Sequence, residues 1–109
     1  MADDEIPFAY THLTLVTDSS DTIRFDEIQV IAYCNAALQQ FLGLTGLAIR
    51  VDIIRADGTS FWIRVPRGDG KKLNAAITAY RGTKIDETMC LLRVTETQDT
   101  QPSPEKNKD

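Results

Sequence analysis

The sequence is short of the residues that build metal centres, disulfide frameworks and acid–base catalysis. It has one histidine, His12, and two cysteines, Cys34 and Cys90, in 109 residues. That inventory is too small to complete a structural zinc site or a disulfide framework, so no metal is expected. Both cysteines sit in apolar surroundings, as suits buried free thiols in a reducing compartment. Long apolar runs are also missing. None approaches the ~20 residues that span a bilayer, so no membrane partner is expected. The acidic opening "MADDEIP" reads as neither a signal nor a transit peptide. The last absence is an excess of positive charge. Of the net charge of -4, the acidic start contributes Asp3, Asp4 and Glu5, and the body from Ile6 to Thr97 holds ten basic and ten acidic residues. Phosphate neutralisation supplies most of the affinity of a protein that grips nucleic acid alone. A neutral body disfavours autonomous binding of that kind.

What is present is enough for one domain with a two-layer core, since 42% of the residues are hydrophobic and 26% charged. "FAYTHLTLV" (8–16) alternates as a strand, with Ala9, Thr11, Leu13 and Leu15 on one side. "FDEIQVIAYCNAALQQFLG" (25–43) carries a helix signature. Asp26 can cap, Gln29 can return the bond, Phe25 can staple to Val30, and Gly43 can close the far end. Ile28, Ile31, Cys34, Leu38 and Phe41 recur at helical spacing as its expected buried stripe. "LAIRVDIIR" and "SFWIRV" flank "ADG", which predicts a hairpin with a three-residue loop and Gly58 in the left-handed position. That register pairs Ile53 with Phe61 and Val51 with Ile63, and puts Arg50 opposite Arg64. A second helix runs through "DGKKLNAAITAYRG", capped by Asp69, with Leu73, Ala76, Ile77 and Tyr80 as its apolar stripe. "TMCLLRVTE" (88–96) is the closing strand, with Cys90, Leu92 and Val94 on the core side.

The expected fold is therefore α+β, a two-layer ferredoxin-like or RRM-like βαββαβ sandwich with a four-stranded antiparallel sheet and two helices on one face. Residues 1–6 are expected to be a flexible N-terminus, 7–97 the domain, and 98–109 a disordered, polar, proline-containing tail.

Two places invite a functional reading. "VPRGDGKKL" lacks the GxxxxGK[ST] spacing of a phosphate loop, because Val65 stands five before Gly70 and Lys72 replaces the hydroxyl residue. What remains is a helix start with lysines, which the helix dipole disfavours. Arg67, Lys71 and Lys72 either meet an anion there, such as an RNA phosphate or an acidic surface, or are simply solvated. The second place is the sheet face away from the helices. Alternation puts Tyr10, His12, Thr14, Arg50, Asp52, Trp62, Arg64, Leu91 and Arg93 on it, where Asp52 or a partner's anion can come between the two arginines, and tryptophan, tyrosine and arginine are the types that dominate interaction hot spots. It reads as a protein interface, as an RNA stacking surface, or as a face covered by the tail or a second copy. The third strand lacks the glycine-aromatic signature of RNA-recognition motifs. No catalytic residues are identified. His12 has no nucleophile beside it, and Asp26-Glu27 and Asp86-Glu87 read as helix-start and loop charges. Acylphosphatases share this layout, but their glycine-rich anion loop has no counterpart in "TDSSDTIRF". The remaining alternatives from the residues alone are a stand-alone RRM-like RNA-binding module and, behind it, a small acylphosphatase-like enzyme.

The stretch from Phe25 to Tyr80 resembles the small fungal protein subunit shared by ribonuclease P and ribonuclease MRP, the eighth of the "processing of precursor RNAs" subunits. The residues that carry the likeness are Phe41-Leu42-Gly43, the turn Leu44-Thr45-Gly46, "FWIRVPR", "LNAAITAY" and the closing "CLLRV". The resemblance implies a non-catalytic subunit without cofactors, in the nucleus and nucleolus. It would support cleavage of precursor tRNA and precursor rRNA by a catalytic RNA. Its implied partners are a paralogous small α/β subunit, a TIM-barrel-like subunit, and that RNA, directly or indirectly. On that footing Tyr10, Arg50, Trp62, Arg64, Leu91 and Arg93 are the candidate protein interface, and Arg67, Lys71 and Lys72 the candidate RNA contacts.

Overall fold

The computed structural model describes residues 7–18 and 22–102. The expectations for residues 1–6 and for the end of the tail fall outside them. Five strands and two helices follow one another as β1 (Phe8–Thr17), α1 (Glu27–Leu42), β2 (Asp52–Ala56), β3 (Ser60–Pro66), α2 (Gly70–Ala79), β4 (Thr83–Ile85) and β5 (Thr88–Gln98). All pairings are antiparallel, and the sheet order is β2-β3-β1-β5-β4. The sheet thus has five strands instead of four. The extra one is the short β4, which folds back onto β5 through Asp86 and Glu87, both at positive φ (51° and 68°). Three residues, "TKI", are too few to show a period-2 pattern, and two acidic residues are an uncommon hairpin turn. β5 also runs through Gln98, two residues beyond the expected strand.

Helix α1 begins and ends where its residues say. Asp26 Oδ1 accepts from the Gln29 N–H at 2.8 Å, and Gln29 Oε1 accepts from the Asp26 N–H at 2.9 Å. This reciprocal cap satisfies two N–H groups that the helix itself leaves unpaired. Gly43 closes the other end at φ 72°. The buried stripe, however, is Val30, Tyr33, Cys34, Ala37 and Leu38. Ile28 and Phe41, expected to be buried, are 78% and 48% exposed. Apolar residues lie on more than one side of α1, and sheet contact selects the frame that includes Tyr33. The Tyr33 hydroxyl accepts the Leu92 N–H at 3.1 Å, beyond the point where short β4 stops pairing with β5. A backbone donor at the sheet margin is thereby satisfied from the helix layer.

Helix α2 starts after a 3-10 turn at Arg67–Asp69. Asp69 holds the N-cap position but makes no capping bond; its carboxylate lies 3.9 Å from Lys72 Nζ. Leu73, Ala76 and Ile77 are buried as expected, and Tyr80 is half-buried with its ring edge-on to Tyr33 at 4.9 Å. Both helices cover one face of the sheet over a core of Leu13, Val30, Leu38, Phe61, Ile63 and Leu92, among others. Full burial of each such side chain contributes about 1.5–3 kcal/mol. Thr11, also buried on this face, bonds Asn74 of α2 at 3.0 Å. Cys34 and Cys90 are buried free thiols, and burial pushes the Cys34 thiol up to about 12. No helix among the described residues is long and apolar enough to cross a membrane.

The β2–β3 hairpin departs from the register expected from sequence. Ala56 pairs with Phe61 and Arg55 with Trp62, then a bulge at Ile54 shifts the ladder so that Ile53 meets Ile63 and Asp52 meets Arg64. The Asp57 N–H donates to the Ser60 carbonyl at 2.9 Å, which leaves Gly58-Thr59 as the two-residue turn. Gly58 takes φ 87°, a conformation that L side chains rarely adopt. The sequence between α1 and β2 also differs from the expected long strand. Residues Gly43–Ala48 form a 3-10 turn, so Arg50 precedes β2 instead of lying within it.

Candidate functional site

The face of the sheet away from the helices is where most of the expected site residues converge. Its centre is set by the β1–β3 register, which pairs Tyr10 with Arg64 and His12 with Trp62. Trp62 is half-buried, and its ring lies 5.0 Å from the His12 ring at a tilt of 56°. Arg55 pairs with Trp62 from the other side. A bulge in β5 turns Thr95 onto this face. The Thr95 hydroxyl donates to the His12 carbonyl at 3.2 Å and lies 2.6 Å from His12 Nδ1.

Arg64 and Arg50 are organised by one carboxylate. Asp52 Oδ2 accepts from Arg64 Nε at 3.2 Å, and Asp52 Oδ1 accepts from Arg50 Nε at 3.2 Å. The like-charge opposition of Arg50 and Arg64 expected from sequence does not occur; Asp52 is the residue opposite Arg64 and lies between the two cations. Arg64 also stands over the Phe8 ring, 4.2 Å from its centroid, a cation–π contact of about 0.5–1 kcal/mol at an exposed site. These contacts hold the guanidinium planes in place more than they stabilise the fold, because exposed ion pairs contribute only ~0–1 kcal/mol.

The remaining expected residues are placed as follows. Tyr10 is on this face but only 7% exposed, between Arg64 and Gln98 and edge-on to Phe8, so it supports the surface from beneath. Leu91 is half-buried and Arg93 exposed, farther along beside Val16 and Thr14. Arg67, Lys71 and Lys72 form a separate basic group at the start of α2. Lys71 and Lys72 are exposed, and Arg67 Nη2 donates to the Asp99 carbonyl at 3.3 Å. Alternation puts Phe8 on the same side of β1 as Tyr10 and His12, whereas sequence reasoning missed Arg55, which the bulge at Ile54 turns onto the face. It also missed the exposed apolar side chains Ile28, Phe41, Leu44 and Leu47.

His12 gives this face a pH dependence. Burial lowers its pKa from the ordinary 6.5, opposed by Glu96, reinforced by Arg55, and opposed by Asp57. The unfolded chain therefore binds a proton before the folded one does. The stability contribution is present above about pH 6.5 and is lost as pH falls through the depressed folded value. Melting temperatures from about pH 8 down to about pH 5 are expected to fall more steeply for the natural protein than for His12→Gln. Equal slopes would place the titrating group elsewhere.

The fold and this face define an α+β module with an aromatic and arginine-rich surface. A family model described as ribonucleases P/MRP protein subunit Pop8 matches residues 7–80. That stretch is more than half of the chain, which belongs to this family of ribonuclease P/MRP protein subunits. A chain in the cryo-EM structure of yeast ribonuclease MRP has the same fold, with a TM-score of 0.81 over 99% of this chain and 86% of that one, at 17% identity. No curated protein matches the sequence.

Proposed function

We propose that the protein is a non-catalytic subunit of the ribonuclease P and MRP particles, in the nucleus including the nucleolus, where the RNA performs the cleavage of precursor tRNA and precursor rRNA. It pairs through the open sheet face with a paralogous α/β subunit and a TIM-barrel-like subunit, and so steadies the catalytic RNA. The observation that carries the reading is the pre-set surface of Trp62, Arg64 and Arg50, whose side chains are fixed by His12, Phe8 and Asp52 in a chain with family membership. Ordering long side chains before binding lowers the entropic cost of association, which favours an interface over a solvated face. The neutral body supports protein contact in preference to unaided RNA binding. Arg67, Lys71 and Lys72 take an RNA phosphate at the particle's edge.

The test is co-purification from nuclear extract with a tagged chain carrying Trp62→Ala and Arg64→Glu. Partner proteins and RNA are expected to be lost together, by tenfold or more, since hot-spot truncations cost about 2 kcal/mol or more. Partner proteins that stay bound while RNA is lost would reassign the face to RNA.

A further inference from the structure

The arginine pair on the open face continues around the sheet margin into a groove between α1 and β2. Its volume is about 560 Å³, and its apolar lining is Ile28 and Ile31 from α1 with Val51, just before β2, and Ile53 of β2. Arg50, Asp52 and Arg64 line one side, and Glu27 lies at the helix end. Ile28 is 78% exposed, an unusual position for a large β-branched side chain at the first turn of an otherwise well-capped helix. β2 is the outermost strand of the sheet, so nothing of the sheet lies beyond the groove.

The groove lining holds two arginines and two carboxylates, and they are unevenly placed. Two guanidiniums share one carboxylate, and each binds it through Nε. Among the described residues the terminal nitrogens of both arginines make no hydrogen bond. A guanidinium held at Nε still presents its two terminal nitrogens, the fork that takes a carboxylate or phosphate with two bonds. The Arg50–Asp52–Arg64 cluster thus carries one positive charge in excess beside an apolar trough, and Glu27 brings the whole lining to zero. RNA fits such a place poorly. Asp52 and Glu27 repel successive phosphates, and the Ile28–Ile31 surface offers no aromatic plane for a base. A peptide strand would also find little edge to extend, because the bulge at Ile54 interrupts β2 after two residues. Side-chain recognition remains.

We propose that this groove receives an apolar side chain and a neighbouring Asp or Glu carboxylate from a protein partner, the first resting on Ile28 and Ile31 and the second held by the terminal nitrogens of Arg50 and Arg64. The inference rests on the reading that the chain pairs with proteins inside the particle, and adds to it the chemistry of the partner segment and a contact on the helix side of the sheet margin.

The experiment is photo-crosslinking in the assembled particle. Benzoylphenylalanine replaces Ile28 in the tagged full-length chain, with a control at the exposed Ala75 of α2, and adducts are mapped in particles purified by the tag. The expected result is an Ile28 adduct on a partner protein, in a segment with an acidic residue beside an apolar one. Its yield per catalytic RNA recovered with the tag should fall roughly tenfold with Arg50→Ala and Arg64→Ala together. An Ile28 adduct on RNA, on a protein segment without an acidic residue, or no stronger than the Ala75 control would overturn the groove assignment. So would a yield indifferent to both arginines. If the natural chain brings down no ribonuclease P or MRP RNA at all, it is the subunit reading that fails. The two failures are distinguishable because the RNA content of the natural particle is scored before any adduct.

Discussion

Gly46→Ala is expected to cost about 3 kcal/mol, at the upper end of the range for overpacked cores, and to lower the melting temperature by roughly 15 °C. Gly46 is buried in the 3-10 turn Gly43–Ala48, which folds back over the end of α1. A Cβ there would lie 2.3 Å from the Leu38 carbonyl oxygen and 2.6 Å from its carbon. Both are backbone atoms near the end of a hydrogen-bonded helix, so neither can move aside as a long side chain would. The turn itself must lift. It carries Ile49, whose N–H donates to the Gly46 carbonyl at 3.2 Å and whose side chain is buried in the core. Lifting it displaces Arg50, and with it one side of the Asp52 cluster. The neighbouring glycines supply internal controls. Gly68 has open space around its Cβ position and no positive φ, so Gly68→Ala should be close to neutral. Gly43 also has space but sits at φ 72°, so Gly43→Ala should cost about 1–2 kcal/mol from backbone strain alone. Chemical denaturation of the three variants reads this order directly. A Gly46→Ala protein as stable as Gly68→Ala would mean that the turn does not pack on the helix as described.

The same turn shows why some of the structure could be read from residues and some could not. Asp26, Gln29 and Gly43 mark the ends of α1 because capping is local chemistry, decided within four residues. Sheet register is not local. "ADGTS" admits several two- and three-residue turns, and the one adopted, Gly58-Thr59, is favoured by contacts from elsewhere: the Phe25 N–H donates to the Gly58 carbonyl at 2.9 Å, and the Leu15 N–H to the Thr59 carbonyl at 2.8 Å. From that choice and the Ile54 bulge follow the pairing of Asp52 with Arg64 and of Arg55 with Trp62. Alternation alone assigned Trp62, Arg64 and Tyr10 to the open face, since a strand's parity survives an error in its partner. It could not say that Tyr10 would be buried or that Phe8 would lie under Arg64. The α1 stripe failed for a related reason. With apolar residues on several sides of the helix, the frame is chosen by the sheet and by Tyr33 reaching Leu92, neither of which is visible from periodicity.

Two adjacent residues separate the fold from the interface. Phe61 and Trp62 are neighbours on β3 and point to opposite faces. Phe61 is 1% exposed, within the core beneath the helices, and Phe61→Ala is expected to cost about 3–5 kcal/mol through lost burial and the cavity left behind. For a domain of this size that is a large share of a stability of about 5–15 kcal/mol, so the variant should be partly unfolded at physiological temperature and lost from the particle for that reason. Trp62 has no part in that core. Its neighbours are His12 and Arg55 on a face without helices, and Trp62→Ala should cost the isolated fold about 1 kcal/mol while removing most of the partner binding. The pair therefore dissociates two readouts. Phe61→Ala should lower the melting temperature and, with it, every downstream activity. Trp62→Ala should leave a well-folded chain, with an unchanged denaturation slope, that no longer assembles. The His12 ring reports on the same distinction by NMR: its shifts should move in Trp62→Ala, where the ring neighbour is gone, without the loss of dispersion that unfolding brings. If Trp62→Ala instead melts as low as Phe61→Ala, the indole is a structural element of a closed surface. The open face would then not be where this subunit meets its particle.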